Sequence, residues 1–80
     1  MENTRRRELP TDLANGLRSA RSAQGLGLRE AARIIGITPG YLTLLEQGKR
    51  FPSLGVALRL AATLDLSREP AAKLLELTAR

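Results

Sequence analysis

Residues 26–53, LGLREAARIIGITPGYLTLLEQGKRFPS, hold the signals for two short helices joined by a tight turn. Gly36 is suited to closing the first helix, because glycine adopts a positive φ at little steric cost. Thr38 can cap the second helix, and Pro39 in its first turn gives up no N–H that the helix needs. The stretch therefore predicts a helix over residues 28–35, a turn over 36–38 and a helix over 39–47.

The segments on either side carry three more helical patterns. Before the stretch, an amphipathic helix is predicted from the apolar positions Leu13, Leu17, Ala20 and then Ala23 or Gln24. Thr11 or Asp12 is its expected cap. After the stretch, Ser53 and Ser67 are the expected caps of two more helices, and Pro70 falls in the first turn of the last one, where proline is tolerated. The expected fold is all-α, a compact five-helix bundle.

Length and composition narrow the class of protein. Eighty residues make one small domain, whose core is too small for a large enclosed active site. The chain has no cysteine, which excludes disulfides and thiolate metal sites and is typical of a reducing cytoplasm. No apolar run is long enough to span a membrane, and no signal-peptide pattern is present. We therefore expect a cytoplasmic protein with no membrane partner.

The formal net charge of +5 favours a polyanionic partner. Most of the positive charge is arginine, which suits bidentate contacts to phosphate and guanine. A GC-rich genome also raises the arginine content of all its proteins, and it explains the ratio of arginine to lysine equally well. It does not explain the net charge.

The order of these residues resembles the Cro/C1-type (XRE-like, lambda-repressor-like) helix-turn-helix family. The matching positions are Ala32, Gly36, Ile37, Leu42, the run 45–50 with sequence LEQGKR, Pro52 and Ser53. Leu17, Arg18 and Arg21 are similar to the first helix of the family, and Leu58, Leu60, Ala61 and Leu64 to its fourth. The resemblance covers residues 12–66. It implies a helix-turn-helix that places the helix of residues 38–47 in the major groove of double-stranded DNA.

The exposed face of that helix is the expected reading surface. Leu42 and Leu45 are spaced to face inward, which leaves Thr38, Pro39, Gly40, Tyr41, Thr43 and Leu44 as candidate DNA contacts. Base reading usually needs Arg, Asn, Gln or Lys, and these six positions carry none. The hydroxyls of Tyr41 and Thr43 can bond a base or a phosphate, and Leu44 can touch a thymine methyl. The alternative is that these are ordinary surface residues.

A second group of residues is suited to gripping the DNA backbone. Basic loops and helix N-termini bind phosphates and fix the register of a protein on the duplex. The candidates are Arg29, Lys49, Arg50 and the backbone N–H groups of residues 38–41. The family commonly has a phosphate-binding Gln at the first position of the second helix, where this chain has Leu28, so Arg29 is the expected substitute. The alternative for Lys49 and Arg50 is a solvated basic loop.

The resemblance also implies a structural ion pair. Arg21 and Glu46 match the positions of a pair that ties the first helix to the end of the third. Such a partly buried pair fixes orientation more than it adds stability, and breaking one partner costs on the order of 3 kcal/mol. Glu46 is therefore expected to be a scaffold residue and not a catalytic acid.

Both ends of the chain offer further contacts. Residues 1–10 are predicted to be a basic flexible arm, whose Arg5, Arg6 and Arg7 could follow a DNA groove, and residues 11–80 are predicted to be the folded domain. The last helix has a wide apolar arc. Its Leu74 and Leu77 are candidates for a twofold dimer seam, since dimers of such domains bind palindromic sites. Simple closure of the core is the alternative.

Two functional hypotheses follow, and neither is an enzyme. The chain lacks histidine and cysteine, its carboxylates are scattered over different elements, and no cofactor is expected. The leading hypothesis is a sequence-specific DNA-binding transcriptional regulator, expected to be a repressor and a homodimer. The alternative is an adaptor or antitoxin-like module that docks a protein partner through the apolar face of the third helix.

Overall fold

The structure, a computed structural model, describes residues 8–78. Five helices account for most of this range: α1 (Thr11–Ala23), α2 (Leu28–Ile35), α3 (Pro39–Glu46), α4 (Leu54–Thr63) and α5 (Arg68–Thr78). The described residues contain no strand. The predicted all-α five-helix bundle is confirmed, and the ends of α2 and α3 fall within one residue of their predicted positions. Arg5, Arg6 and Arg7 lie outside the described residues.

The packing of the helices leaves one side of α3 uncovered. α1 packs against α3 and α5, while α2 packs against α3 and α4. α4 and α5 pack on each other. One core results, with fully buried leucine or isoleucine side chains from all five helices and the turn after α4: Leu17, Ile35, Leu42, Leu45, Leu60, Leu64 and Leu74.

The folded domain begins earlier than predicted. Leu9, which the sequence pattern places in the flexible arm, is buried in the core. Its carbonyl oxygen lies 3.2 Å from the point that a Cβ on Gly48 would occupy. Pro10 then stands at the N-cap of α1, so Thr11 is already helical and the predicted cap at Thr11 or Asp12 is wrong. The predicted apolar stripe of α1 also ends early, because Ala23 and Gln24 are exposed.

Two of the predicted capping residues behave as expected. The Thr38 Oγ1 accepts a hydrogen bond of 3.1 Å from the N–H of Tyr41, and the Ser53 Oγ accepts one of 3.2 Å from Val56. These bonds satisfy N–H groups that have no partner within α3 and α4. The start of each helix is thereby fixed by a residue visible in the sequence.

The first four helices end on the same backbone closure. The N–H of the residue beyond the turn donates to a carbonyl five residues earlier, as in Leu26 to Arg21, Ile37 to Ala32, Lys49 to Leu44 and Leu66 to Ala61. The closure requires a left-handed residue. Glycine fills that position three times, at Gly25, Gly36 and Gly48, whereas α4 uses Asp65 with φ 53°. Asp65 is the only non-glycine residue with positive φ among those described.

None of the helices described between residues 8 and 78 is both long enough and apolar enough to cross a membrane.

Candidate nucleic-acid interface

α3 presents a narrow outer stripe to solvent. Its inner side is fully occupied, because Leu42, Leu45 and Glu46 are buried. The opposite side carries Gly40 and Gln47, which are exposed, and Thr43 and Leu44, which are half-buried. These four positions have the spacing i, i+3, i+4 and i+7, which aligns them on one side of a helix. We call Gly40, Thr43, Leu44 and Gln47 the outer stripe.

The remaining predicted contact residues of this segment lie beside the outer stripe. Thr38 is the N-cap of α3 and is exposed, whereas Pro39 is half-buried in its first turn. Tyr41 is half-buried as well, since its ring packs against the hydrophobic core. Tyr41 therefore offers less free surface than the sequence pattern indicated.

Gln47 is a candidate contact that the sequence analysis missed. It is the C-cap of α3, one turn beyond Thr43, and its exposed amide can donate and accept hydrogen bonds. Such an amide suits the edge of adenine in the major groove. The signal was present, because the helical spacing that selected Gly40, Thr43 and Leu44 also selects Gln47.

A cleft beside the first turn of α3 carries two arginines. Arg29 and Arg33 line it together with Glu30, Ile37 and Pro39. Arg29, named from the sequence as a phosphate contact, is exposed there. Arg33 was not predicted, although it lies one turn after Arg29 on α2. Leu28, by contrast, is half-buried and packs against the core.

A second cleft adds a basic residue near the other end of α3. Arg18 of α1 lines this cleft together with Thr43, Gln47 and the Arg21–Glu46 pair. Arg18 was not singled out as a contact, because its distance from α3 along the chain hides its proximity in the fold. Lys49 and Arg50 follow α3 directly, the first exposed and the second half-buried.

The orientation of α3 is fixed by the ion pair that the resemblance implied, which is present in the structure. The Nε of Arg21 donates to Glu46 Oε2 at 2.7 Å, and a terminal N–H of Arg21 donates to Oε1 at 3.0 Å. A third N–H donates to the carbonyl of Leu26 at 3.1 Å. The hydrogen bond to Glu46 raises the pKa of Arg21 above its ordinary value, against an opposing effect of burial.

The end of α2 is held by a contact that no sequence signal revealed. The Nε of Arg59 on α4 donates to the carbonyl of Ile35 at 2.8 Å. That carbonyl belongs to the last turn of α2, where carbonyls lack helical partners. Arg59 thus ties α4 to the end of α2, directly before the turn into α3.

In α5, one of the two residues predicted to form a dimer seam is buried. Leu74 is 0% exposed and belongs to the core, so it has no surface to offer a second chain. For this residue the alternative of core closure holds, because α5 uses it to cover the core beside α1 and α4. Leu77 is half-buried and also packs against the core.

Within residues 8–78, no group of three or more acidic side chains stands close enough together to hold a metal ion.

The arrangement of α2, turn and α3 agrees with the comparisons to known proteins. The family model described as helix-turn-helix domain matches residues 12–74, and the chain belongs to this family. No curated protein sequence gives a significant match.

Several solved structures are similar to this one. The restriction-modification controller protein C.AhdI from Aeromonas hydrophila is 31% identical, with a TM-score of 0.68 over 76% of this chain and 88% of that one. The clp gene regulator ClgR from Corynebacterium glutamicum is 32% identical, with a TM-score of 0.69 over 90% of this chain and 76% of that one. An HTH_3 family transcriptional regulator from Vibrio cholerae is 26% identical, with a TM-score of 0.65 over 84% of this chain and 38% of that one. The chain is thus similar to helix-turn-helix regulators, a class that acts by binding DNA and is generally not enzymatic.

Proposed function

We propose that this protein is a sequence-specific transcriptional regulator that inserts α3 into the major groove of double-stranded DNA. The observation that carries the proposal is the outer stripe of α3, which is uncovered and has basic residues beside both of its ends. An α-helix is narrow enough to enter the major groove of B-form DNA. The family and the similar regulators support the same conclusion.

The proposed backbone contacts surround the outer stripe. Arg29 and Arg33 line a cleft with Pro39, which directly precedes the first residue of the stripe, and Arg18 lines a cleft with Gln47, its last residue. Lys49 and Arg50 extend the charge beyond the end of α3. Arginine and lysine in such positions grip phosphates and fix the register of the helix in the groove. The N–H groups at the start of α3 add the positive end of the helix dipole.

Few side chains of α3 can contact the bases directly. On the outer stripe only Thr43 and Gln47 carry hydrogen-bonding groups, while Leu44 suits a thymine methyl. Tyr41 contributes its hydroxyl from the flank. With so few donors, the shape and deformability of the DNA are expected to supply part of the specificity.

The finer parts of the proposal concern the arm, the assembly and the sign of regulation. The buried Leu9 lies next to Gly48, so the chain enters the domain beside the basic loop after α3. We propose that Arg5, Arg6 and Arg7 add phosphate contacts from this side. We also propose that the protein acts in the cytoplasm as a homodimer, and as a repressor that occludes its site.

A gel-shift titration tests the proposal. The duplex is the region upstream of the chain's own coding sequence, compared with a scrambled duplex of equal composition at two salt concentrations. We expect tighter binding to the upstream duplex and weaker binding to both at higher salt. Equal affinity for both duplexes would contradict sequence-specific regulation from this site. Absence of binding to either would contradict DNA binding altogether.

A protein-docking role is the second candidate, and one observation favours it. Gly40 and Leu44 occupy half of the outer stripe, and neither side chain can form a hydrogen bond to a base edge. An adaptor would use these positions to contact a protein. Substitutions on the outer stripe separate the two functions, because they would weaken either DNA preference or the capture of a protein partner.

A further inference from the structure

The peptide between Ile35 and Gly36 is held on both of its sides. Its N–H, which belongs to Gly36, donates to the carbonyl of Ala32 at 2.8 Å. Its carbonyl, which belongs to Ile35, accepts a hydrogen bond of 2.8 Å from the Nε of Arg59. The first bond lies within the end of α2, whereas the second comes from α4, 24 residues further along the chain. Two different helices therefore fix the plane of this peptide.

The same peptide directly precedes the turn into α3. Gly36 has φ 90° and ψ 31°, and glycine adopts a wider range of backbone angles than any other residue. Rotation of the Ile35–Gly36 peptide changes the φ of Gly36 and redirects the chain that follows, beginning with the N-cap Thr38. The position of α3 is therefore sensitive to whatever holds the carbonyl of Ile35.

Arg59 is well suited to hold that carbonyl. A hydrogen bond from a guanidinium is stronger than one from a neutral donor, and a cation at the end of a helix interacts favourably with the helix dipole. The side chain also has room on α4, because Nη1 of Arg59 lies 3.9 Å from the point that a Cβ on Gly55 would occupy. The bond thus comes from a helix that packs on α2 and α5.

Two arginines act on opposite ends of α3. Arg21 bonds to Glu46 at its end, and Arg59 bonds to the peptide that leads into its start. The buried side chains of Leu42 and Leu45 hold the middle of the helix by packing, which is not directional. Hydrogen bonds depend on angle as well as on distance. The two arginines therefore add directional restraints at the ends of α3.

We infer that Arg59 is a positioning residue for DNA binding, which fixes the Ile35–Gly36 peptide and so sets where the start of α3 lies. The inference rests on the proposed function, in which α3 enters the major groove. An eight-residue helix spans about 12 Å, so a tilt of about 10° about Glu46 moves the start of α3 by about 2 Å. A shift of this size is larger than the range of hydrogen-bond lengths, so contacts made by the first turns of α3 are lost.

A gel-shift titration of Arg59→Met tests the inference, because methionine keeps an apolar stem but has neither charge nor donor. We expect affinity for the upstream duplex to fall by about tenfold, together with the preference over the scrambled duplex. The slope of log K against log salt should not change, because no phosphate contact is lost. Unchanged preference would overturn the inference. A slope lowered by about 0.9 would also overturn it, since Arg59 would then contact a phosphate itself.

Two further variants control for charge and for the hydrogen bond. Arg68→Met removes the same charge from an exposed position on α5 and should bind both duplexes as the wild type does. Arg59→Lys keeps the charge and one donor, and it should recover most of the lost preference. A loss in Arg68→Met equal to that in Arg59→Met would assign the effect to net charge and overturn the inference.

A compensating substitution separates positioning from stability. Gly55→Ala raises the helix propensity of α4, and its Cβ would make only an ordinary contact with the side chain of Arg59. Urea denaturation should show that Gly55→Ala restores stability to Arg59→Met, while the preference for the upstream duplex stays low. If the preference returned together with the stability, Arg59 would have a structural role alone and the inference would be overturned.

Hydrogen exchange measured by NMR gives a readout that needs no DNA. In Arg59→Met the amides of Gly36 and Ile37, both bonded to the carbonyl of Ala32, should exchange faster than in the wild type. The amide of Leu42, inside α3, should change much less. Equal acceleration of all three amides would indicate lower global stability and overturn the inference.

The two experiments together separate this inference from the proposed function. A wild type that binds DNA, with variants of Arg59 that keep full preference, would overturn the inference and leave the proposed function intact. A wild type that binds no duplex would overturn the proposed function and the role of Arg59 in DNA binding. Faster exchange confined to Gly36 and Ile37 would still support Arg59 as the residue that fixes their backbone.

Discussion

Arg21 near the end of α1 and Glu46 at the end of α3 form a two-point ion pair, with N–O distances of 2.7 and 3.0 Å. Glu46 is 5% exposed, so its carboxylate has little contact with water and is stabilised by its two hydrogen bonds from Arg21. The planar guanidinium fixes the angle of the carboxylate as well as its distance. The pair therefore sets the direction in which α3 projects from the bundle.

Loss of Arg21 should destabilise the fold. Arg21→Ala leaves the carboxylate of Glu46 buried and unpaired, and we expect the free energy of unfolding to fall by on the order of 3 kcal/mol. Urea denaturation followed by circular dichroism measures this loss. Arg68→Ala is the control, since Arg68 is exposed on α5, and it should change stability by less than about 0.5 kcal/mol. An equal loss in the two variants would contradict the role of the pair.

The contribution of the Arg21–Glu46 pair to the stability of the fold depends on pH through the raised pKa of Arg21. A cation whose pKa is higher in the folded state stabilises the fold at all pH values below its unfolded pKa, and the effect is lost only as pH rises through the folded value. Because both values are far above neutrality, the stability difference between the wild type and Arg21→Ala should stay constant from about pH 7 to about pH 10. Urea denaturation across this range checks it, and a difference that shrinks with rising pH would contradict the prediction.

Phosphate contacts should be visible in the salt dependence of binding. Arg29→Ala, Lys49→Ala and Arg50→Ala should each weaken binding to all duplexes alike and lower the slope of log K against log salt by about 0.9. Arg18→Ala and Arg33→Ala should do the same if the two clefts beside α3 lie on the DNA. Lys73→Ala removes the same charge from α5, beside Asp12 and Glu69, and should leave the slope unchanged. Titrations at several salt concentrations measure the slopes. If the slope of Lys73→Ala fell as much as the slopes of the other variants, the slope would report the net charge of the protein and not individual phosphate contacts.

Substitutions on the outer stripe should affect specificity more than general affinity. Thr43→Ala and Gln47→Ala, and Tyr41→Ala on the flank, should each lower the preference for the operator over random DNA by about 1–3 kcal/mol for every base that the removed side chain had bonded. Competition gel shifts measure that preference, with circular dichroism to show that the helices persist. Ser22→Ala, an exposed position on α1, is the control. Variants that keep full DNA preference but no longer capture a protein partner in a pull-down would favour the adaptor function.

The positive φ of Asp65 predicts that a glycine at this position raises the stability of the fold. Asp65→Gly removes the steric cost of a left-handed residue at the end of α4, so we expect stability to rise by up to about 1 kcal/mol. Gly48→Ala is the converse test, since φ there is 76° and a Cβ would lie 3.2 Å from the carbonyl oxygen of Leu9. It should lower stability by more than about 1 kcal/mol. Thermal unfolding of both variants measures the difference, and a loss of stability in Asp65→Gly would contradict this account.

Local signals predicted the helices well but the start of the domain poorly. Gly36, Thr38 and Ser53 act within one turn of their own positions, so the limits they set on α2, α3 and α4 follow from the neighbouring sequence. Leu9 had no periodic neighbour to mark it as apolar core. It is buried in the core together with residues that are far away along the chain, and a local pattern cannot show that.

The candidate site shows the same division. The sequence by itself determined that α3 exists, which of its sides is apolar, and that Lys49 and Arg50 follow its end, because helical spacing and order along the chain are local properties. Only the tertiary structure decided that Arg18 lies beside Gln47, that Leu74 is buried in the core and that Leu54 and Leu58 of α4 are exposed. These depend on how the helices cross, which is set by packing among residues distant in sequence.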